Sequence, residues 1–105
     1  MIERGRRIAW RRIADESLWR APAIVARWLP DGRREGAEWV ARNPTRADHR
    51  LGNFKVNLSS GRWADFATGD AGGDLISLAA FLFTGGNMAA AAVHLAEMIG
   101  ISAYE

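Results

Sequence analysis

The sequence predicts an α+β fold with two N-terminal helices, a small three-stranded antiparallel sheet and two C-terminal helices. Two observations support this prediction. Apolar residues recur at helical spacing towards both ends of the chain, whereas the middle alternates polar and apolar residues as half-buried strands do. With 105 residues, of which 49% are hydrophobic, the chain is long enough for one core and too apolar to be disordered. We therefore expect a single compact unit.

A helical arm or cap is predicted over residues 1–34. Apolar residues spaced near 3.6 positions, with arginines between them, predict a first helix over residues 2–20. Pro22 suits the first turn of a second helix over residues 21–29, which the turn at residues 30–32 ends.

The remaining chain, residues 35–105, is predicted to begin with the sheet. Residues 38–42, 53–58 and 63–66 are the three expected strands. Pro44 ends the first strand because proline lacks a backbone donor. The other two strands form a hairpin whose apolar face carries Phe54, Val56 and Leu58.

Two C-terminal helices complete the prediction. Asp74 is expected to cap a helix over residues 75–83 that is apolar enough to require burial. The segment 85–87 separates this helix from an amphipathic helix over residues 88–99, which Gly100 ends.

Charge is distributed unevenly along the chain. Residues 1–62 hold all 14 basic residues against seven acidic ones, whereas residues 63–105 hold five acids and no Lys or Arg. Thirteen of the 14 cations are Arg, whose planar guanidinium pairs with phosphate, so the composition favours a polyanionic partner. Arginine enrichment also accompanies a GC-rich genome, and that explanation stays open.

Several kinds of site are disfavoured. The chain has no cysteine, and His49 and His94 alone are too few for a structural zinc site. No nucleophile and base are recognisable from spacing, so we expect no catalysis by this chain alone and no cofactor. No apolar stretch approaches the roughly 18 residues of a membrane span, which favours a cytoplasmic protein without membrane contact.

Four motifs together resemble one protein family. They are Asn43-Pro44-Thr45-Arg46, Gly52-Asn53-Phe54-Lys55-Val56-Asn57, Trp63-Ala64-Asp65-Phe66-Ala67-Thr68-Gly69 and Gly72-Gly73-Asp74-Leu75-Ile76-Ser77-Leu78. They are similar to the Cys-His-Cys-Cys zinc ribbon at the N-terminus of bacterial-type DNA primases, especially the primase-helicases of phages and other mobile elements. The resemblance covers roughly residues 36–101.

The resemblance also implies that this ribbon has lost its zinc. The four ligand positions of the family fall on Asn43, Arg46, Asp65 and Thr68, and all four residues are replaced. We expect an ion pair between Asp65 and Arg46 to tie the two turns together, with Asn43 and Thr68 bonding nearby backbone. Packing is expected to contribute more than this pair, through Trp39, Phe54, Trp63 and Phe66.

In primases the ribbon helps to recognise the single-stranded template and positions the first nucleotide for a separate Toprim-type catalytic domain, whose motifs are not visible here. The resemblance therefore implies a DNA-binding module of a primase or primase-helicase, acting in DNA replication. Its partners would be single-stranded DNA and a Toprim domain, helicase or other replication protein. Basic residues interleaved with aromatic ones suit single strands. The expected contacts are Arg33, Arg34, Arg42, Arg46, Arg50, Lys55, Arg62 and Trp63.

Three alternatives remain. Phe54 and Trp63 also fit the core, since a three-stranded sheet has little else to bury. The chain could instead be a small mobile-element protein that binds or inhibits another protein through the same scaffold, with Trp10 and Trp19 marking a partner or dimer surface. An enzyme of unrecognised chemistry is the third alternative.

Overall fold

The computed structural model describes residues 6–105 of the chain, and over this range the fold is α+β. It contains four helices and five strands. In chain order the elements are α1 (Trp10–Leu18), α2 (Ala21–Trp28), β1 (Arg33–Glu35), β2 (Glu38–Ala41), β3 (Phe54–Asn57), β4 (Trp63–Asp65), β5 (Ala71–Gly72), α3 (Leu75–Phe83) and α4 (Met88–Ile99).

The strands form one antiparallel sheet in the order β1-β2-β3-β4-β5. The prediction of three strands was therefore wrong, because the two edge strands were missed. β1 reads Arg-Arg-Glu and is exposed throughout, and β5 is only two residues long. Both join the sheet through backbone hydrogen bonds, which do not depend on apolar side chains. Neither strand carries the alternation of apolar residues by which a strand is recognised in a sequence.

The two faces of the sheet differ in character. Trp39, Val56 and Trp63 lie opposite one another on neighbouring strands and belong to the inner face, which packs on the helices. Lys55 and Ala64 lie opposite one another on the outer face, between the inner-face positions. Side chains alternate between faces along a strand, so this register decides which residues reach the core.

One core joins the helices to the inner face. Ile13 of α1, Val25 of α2, Phe54 of β3, Leu78 of α3 and Leu95 of α4 are all buried in the same cluster. The core therefore draws on residues from both sides of position 34.

The predicted bounds of α3 and α4 are confirmed. Asp74 begins α3 with a capping box, in which the Ser77 backbone N–H donates to Asp74 Oδ1 at 2.8 Å. α4 ends at Gly100, whose φ of 79° lies in the left-handed region that favours glycine.

The first helix is shorter than predicted. Residues 2–5 lie outside the described range, and α1 begins only at Trp10. Residues 6–9 pair instead with the C-terminal segment: the Ala9 N–H donates to Ala103 O at 2.8 Å and the Glu105 N–H to Arg7 O at 2.8 Å. This backbone pairing satisfies the groups that a longer helix would have bonded internally.

Between residues 6 and 105, no single helix is long and apolar enough to cross a membrane. α3 and α4 reach the required length and composition only as a pair, across a bend of 108°.

Candidate nucleic-acid interface

The carboxylate of Asp65 lies at the centre of a polar cluster formed by Asn43, Arg46, Asp48 and Asp65. Asp65 ends β4 and is fully buried. Arg46 donates to it twice, from Nε to Oδ2 at 2.9 Å and from Nη2 to Oδ1 at 3.2 Å. Asn43 Nδ2 donates to Oδ2 and the Ala67 backbone N–H to Oδ1, each at 2.8 Å. Four hydrogen bonds thus compensate the burial of this charge.

Asp48 extends the polar cluster from the connection between β2 and β3. Its Oδ2 accepts from the Asn43 backbone N–H at 2.8 Å, and its Oδ1 accepts from the Arg50 N–H at 3.2 Å. Arg46 Nη2 lies 3.4 Å from Asp48 Oδ2, so one guanidinium bridges two carboxylates. Asp48 was not predicted from the sequence to belong to this site. It lies in a polar loop, where nothing in the pattern distinguishes it from a solvated charge.

The hydrogen bonds of the polar cluster shift the pKa values of Asp65, Asp48 and Arg46. Hydrogen bonds from Arg46 hold the pKa of Asp65 well below its ordinary value, and those from Asn43 and Ala67 act in the same direction against the effect of burial. The backbone N–H of Asn43 lowers the pKa of Asp48, and the hydrogen bond to Asp65 raises the pKa of Arg46. All three groups are therefore charged at neutral pH.

Three of the four positions that the resemblance aligns with zinc ligands meet in this cluster. The expected Arg46–Asp65 pair is present, and Asn43 Oδ1 accepts from the Thr45 N–H at 2.8 Å. Thr68 lies apart and is exposed, where it accepts from the Asp70 N–H at 3.3 Å and donates to Asp70 Oδ2 at 2.8 Å. Within residues 6–105, no three His, Cys, Asp or Glu side chains are grouped so that they could hold a metal ion.

A shallow groove of about 390 Å³ crosses the outer face of the sheet. We call it the outer-face groove, and its main lining residues are Glu38, Lys55, Asn57, Arg62, Ala64 and Phe66. Phe66 is 69% exposed, and Lys55 Nζ lies 5.7 Å from the centroid of its ring. The groove therefore combines two cations with an aromatic ring open to solvent.

The two aromatic residues of this hairpin, Trp63 and Phe66, differ in exposure. Both were expected to pack, and Trp63 was also expected to contact DNA. Trp63 is only 6% exposed; its Nε1 donates to Ser77 Oγ at 2.9 Å, and its ring lies 4.8 Å from that of Phe81. It belongs to the core, which was the alternative assignment. Phe66 was expected to pack, and that was wrong. Because Asp65 points inward, the alternation of β4 continues through it and places Phe66 outward; this signal was available in the sequence.

The remaining predicted contact residues are spread over the sheet and its loops. Arg33 is exposed on the outer face and pairs with Glu35 at 2.8 Å, whereas Arg34 Nε donates to Gly36 O at 2.9 Å. Arg42 and Arg50 are exposed on the β2–β3 connection. Arg46 is occupied by the polar cluster. Lys55 and Arg62 are thus the predicted cations that line the groove.

Comparison with known proteins adds no assignment. No family model matches the chain, and neither a curated protein nor a solved structure matches it. The similarity to primase zinc ribbons therefore stays a prediction from the four sequence motifs.

Proposed function

We propose that this chain binds single-stranded nucleic acid in the outer-face groove, as a DNA-binding accessory module of a primase or primase-helicase system. The observation that carries the proposal is the exposed ring of Phe66 beside Lys55 and Arg62 in one groove. The sequence resemblance supplies the replication context.

The aromatic ring favours single strands over duplex. A base stacked on an aromatic side chain contributes about 1–3 kcal/mol, and only an unpaired strand can offer the face of its bases. The side chain of Phe66 leaves most of its surface to solvent in a groove that a flat base can enter. Stacking would remove that apolar surface from water.

Cations lie along the path proposed for the phosphates, at a spacing that suits a single strand. Arg33 and Lys55 lie two strands apart on the outer face, roughly 10 Å at the usual spacing of neighbouring strands. Arg62 lies at the other side of the groove, on the turn before β4. Each phosphate that these residues neutralise releases counterions, so binding is expected to weaken with salt.

The polar cluster holds Phe66 in place. The N–H of Ala67, on one side of Phe66, donates to Asp65 Oδ1 at 2.8 Å, and the N–H of Phe66 itself donates to Asn53 O at 2.8 Å. The backbone on both sides of the ring is therefore fixed. A rigid platform loses less conformational entropy on binding than a mobile side chain does.

Fluorescence anisotropy tests the proposal, with labelled single-stranded and duplex DNA of about 12 nucleotides at about 50 mM and about 200 mM salt. We expect tighter binding of the single strand. Phe66→Ala should weaken it about tenfold or more, because the stacking platform is lost. Arg62→Ala should reduce the slope of log affinity against log salt by about 1.

Matched controls are available outside the outer-face groove. Trp19→Ala removes an equally exposed aromatic residue that does not line the groove, and Arg27→Ala removes an exposed cation of α2. Both variants should bind like the wild type. If Phe66→Ala and Trp19→Ala had equal effects, the groove would not be the binding site.

A protein partner is the second candidate, and one observation favours it. Trp19 is 68% exposed beside a groove of about 590 Å³ that Leu18, Pro22 and Leu58 also line. If the wild type fails to bind any oligonucleotide at low salt, this groove becomes the leading site. Sedimentation of wild type and Trp19→Ala would then show whether the groove joins two copies of the chain.

A further inference from the structure

Among the described residues, the outer-face groove contains one acidic residue, Glu38, whose presence is not explained by binding of a polyanion alone. It is half-buried and lines the outer-face groove together with Lys55 and Arg62. Within residues 6–105, Glu38 forms no ion pair with either of these cations, and its side chain makes no hydrogen bond. A free carboxylate in this place repels phosphate, so it lowers affinity unless it accepts hydrogen bonds from the bound ligand.

Asn57 lies directly opposite Glu38 on β3. Its Oδ1 accepts from the N–H groups of Ser59 and Ser60, both at 2.9 Å, which fixes the orientation of the amide. Its Nδ2 donates to no group in the described part of the chain. One cross-strand pair therefore presents a charged acceptor beside a free donor at the groove.

On the basis of the proposed function, we propose that Glu38 and Asn57 read the edge of one base and select cytosine over uracil and thymine. Cytosine offers the exocyclic N4 amino group, which donates to the carboxylate, beside N3, which accepts from the amide. Uracil and thymine place the O4 oxygen where cytosine has its amino group, and that oxygen meets the carboxylate unfavourably. Glu38 is thus a specificity-determining residue.

The base that is read is a different one from the base stacked on Phe66. Asn57 lies opposite the position of Arg62, as the Asn57 N–H donation to Arg62 O at 2.7 Å shows. Phe66 lies four residues after Arg62, directly beyond the end of β4 and roughly 13 Å away at the usual rise of a strand. Lys55 lies between the two places. The groove therefore stacks one base, neutralises phosphate beside it and reads a neighbouring base.

Binding of two labelled oligonucleotides of about 12 nucleotides, one of deoxycytidine and one of deoxyuridine, tests this inference at neutral pH. The two bases are similar in size and differ at the amino group. We expect the wild type to bind the cytosine strand about tenfold more tightly. Glu38→Ala should abolish this preference.

Glu35→Ala is the matched control. Glu35 is the cross-strand neighbour of Glu38 on β1, so the change removes the same charge from the same face, but Glu35 does not line the groove. Because the change also releases Arg33 from its ion pair, affinity for both strands is expected to rise by the same factor. The control should keep the preference for cytosine. Circular dichroism and thermal melting of both variants confirm that they are folded.

The outcomes separate the inference from the function on which it rests. Equal affinity of the wild type for both strands would overturn the inference and leave the proposed function intact. So would a Glu38→Ala variant that binds both strands more tightly by the same factor, since Glu38 would then only repel phosphate. If the wild type bound neither strand, the proposed function would fail and this inference with it.

Discussion

The polar cluster and the outer-face groove contain similar residue types, but among the described residues these are paired in the cluster and unpaired in the groove. In the cluster, Asp65, Arg46 and Asn43 satisfy one another at 2.8–3.2 Å, and the central carboxylate is fully buried. In the groove, Glu38 and the Nδ2 of Asn57 have no partner within the described chain. Charges that are paired internally stabilise the fold, whereas charges left open at a concave surface are available to a ligand. The comparison predicts that changes in the cluster affect stability and changes in the groove affect binding.

The largest expected effect on stability comes from Asp65→Ala. It leaves Arg46 and Asn43 without their shared acceptor, at a cost of about 2–3 kcal/mol in the free energy of unfolding. This is less than for a fully buried pair, because the side chain of Arg46 stays 29% exposed. Urea denaturation of the variant and the wild type measures this loss of unfolding free energy. Asp70→Ala, an exposed aspartate of the same loop, is the control and should change stability by less than about 0.5 kcal/mol. Equal losses would contradict a structural role for the cluster.

Acid should weaken the cluster in a defined direction. The pKa values of Asp65 and Asp48 are lower in the folded state than in the unfolded chain, so their stabilisation is complete above the ordinary value of about 3.9. As the pH falls below about 4, the unfolded chain takes up protons first and the stabilisation is progressively lost. Urea midpoints measured from neutral pH downward should fall in this range, and Asp65→Asn should flatten the decrease. An unchanged slope in that variant would place the acid sensitivity elsewhere.

A pair of aromatic substitutions separates the core from the groove. Trp63→Phe removes the hydrogen bond to Ser77 Oγ and leaves part of the buried ring's volume empty, so it should lower the free energy of unfolding by about 2 kcal/mol without changing affinity for single strands. Phe66→Ala should do the reverse, weakening affinity while stability changes by less than about 0.5 kcal/mol. Denaturation and anisotropy on both variants check the two effects. Loss of affinity in Trp63→Phe alone would assign the contact to the buried ring.

The smallest effect is expected at Thr68. It is exposed and bonds only to Asp70, outside the cluster, so Thr68→Val should change stability by less than about 0.5 kcal/mol. Urea denaturation is again the measurement. A loss comparable to that of Asp65→Ala would mean that Thr68 helps to hold the two turns together although it lies outside the cluster.

The two C-terminal helices were predicted correctly from local sequence signals. The capping residue Asp74 and the terminating Gly100 lie at the ends of apolar runs, and α3 and α4 begin and end where the pattern predicts. The hairpin of β3 and β4 was also recognisable, because its alternation is local. β1 was not recognisable, because it contains no apolar residue. The start of α1 was not recognisable either, because residues 6–9 pair with a segment that is distant in the sequence.

The residues of the candidate site also fall into those that were predicted from the sequence and those that were not. The resemblance to primase zinc ribbons led to the expected Arg46–Asp65 pair, and the interleaved basic and aromatic residues led to Lys55 and Arg62. Asp48 was not predicted as a member of the cluster, and Phe66 was assigned to packing. Both errors concern the direction in which a polar or apolar side chain points, and residue type predicts direction only when inward positions are apolar.

The sequence by itself determined the α+β class, the order of the main elements, the caps of the C-terminal helices and the concentration of positive charge in the first 62 residues. Only the tertiary structure decided that a buried aspartate ends β4 and that Glu38 and Asn57 meet across two strands. The physical reason is that propensity and capping act between near neighbours, whereas burial of a charge is possible only once distant donors have assembled around it.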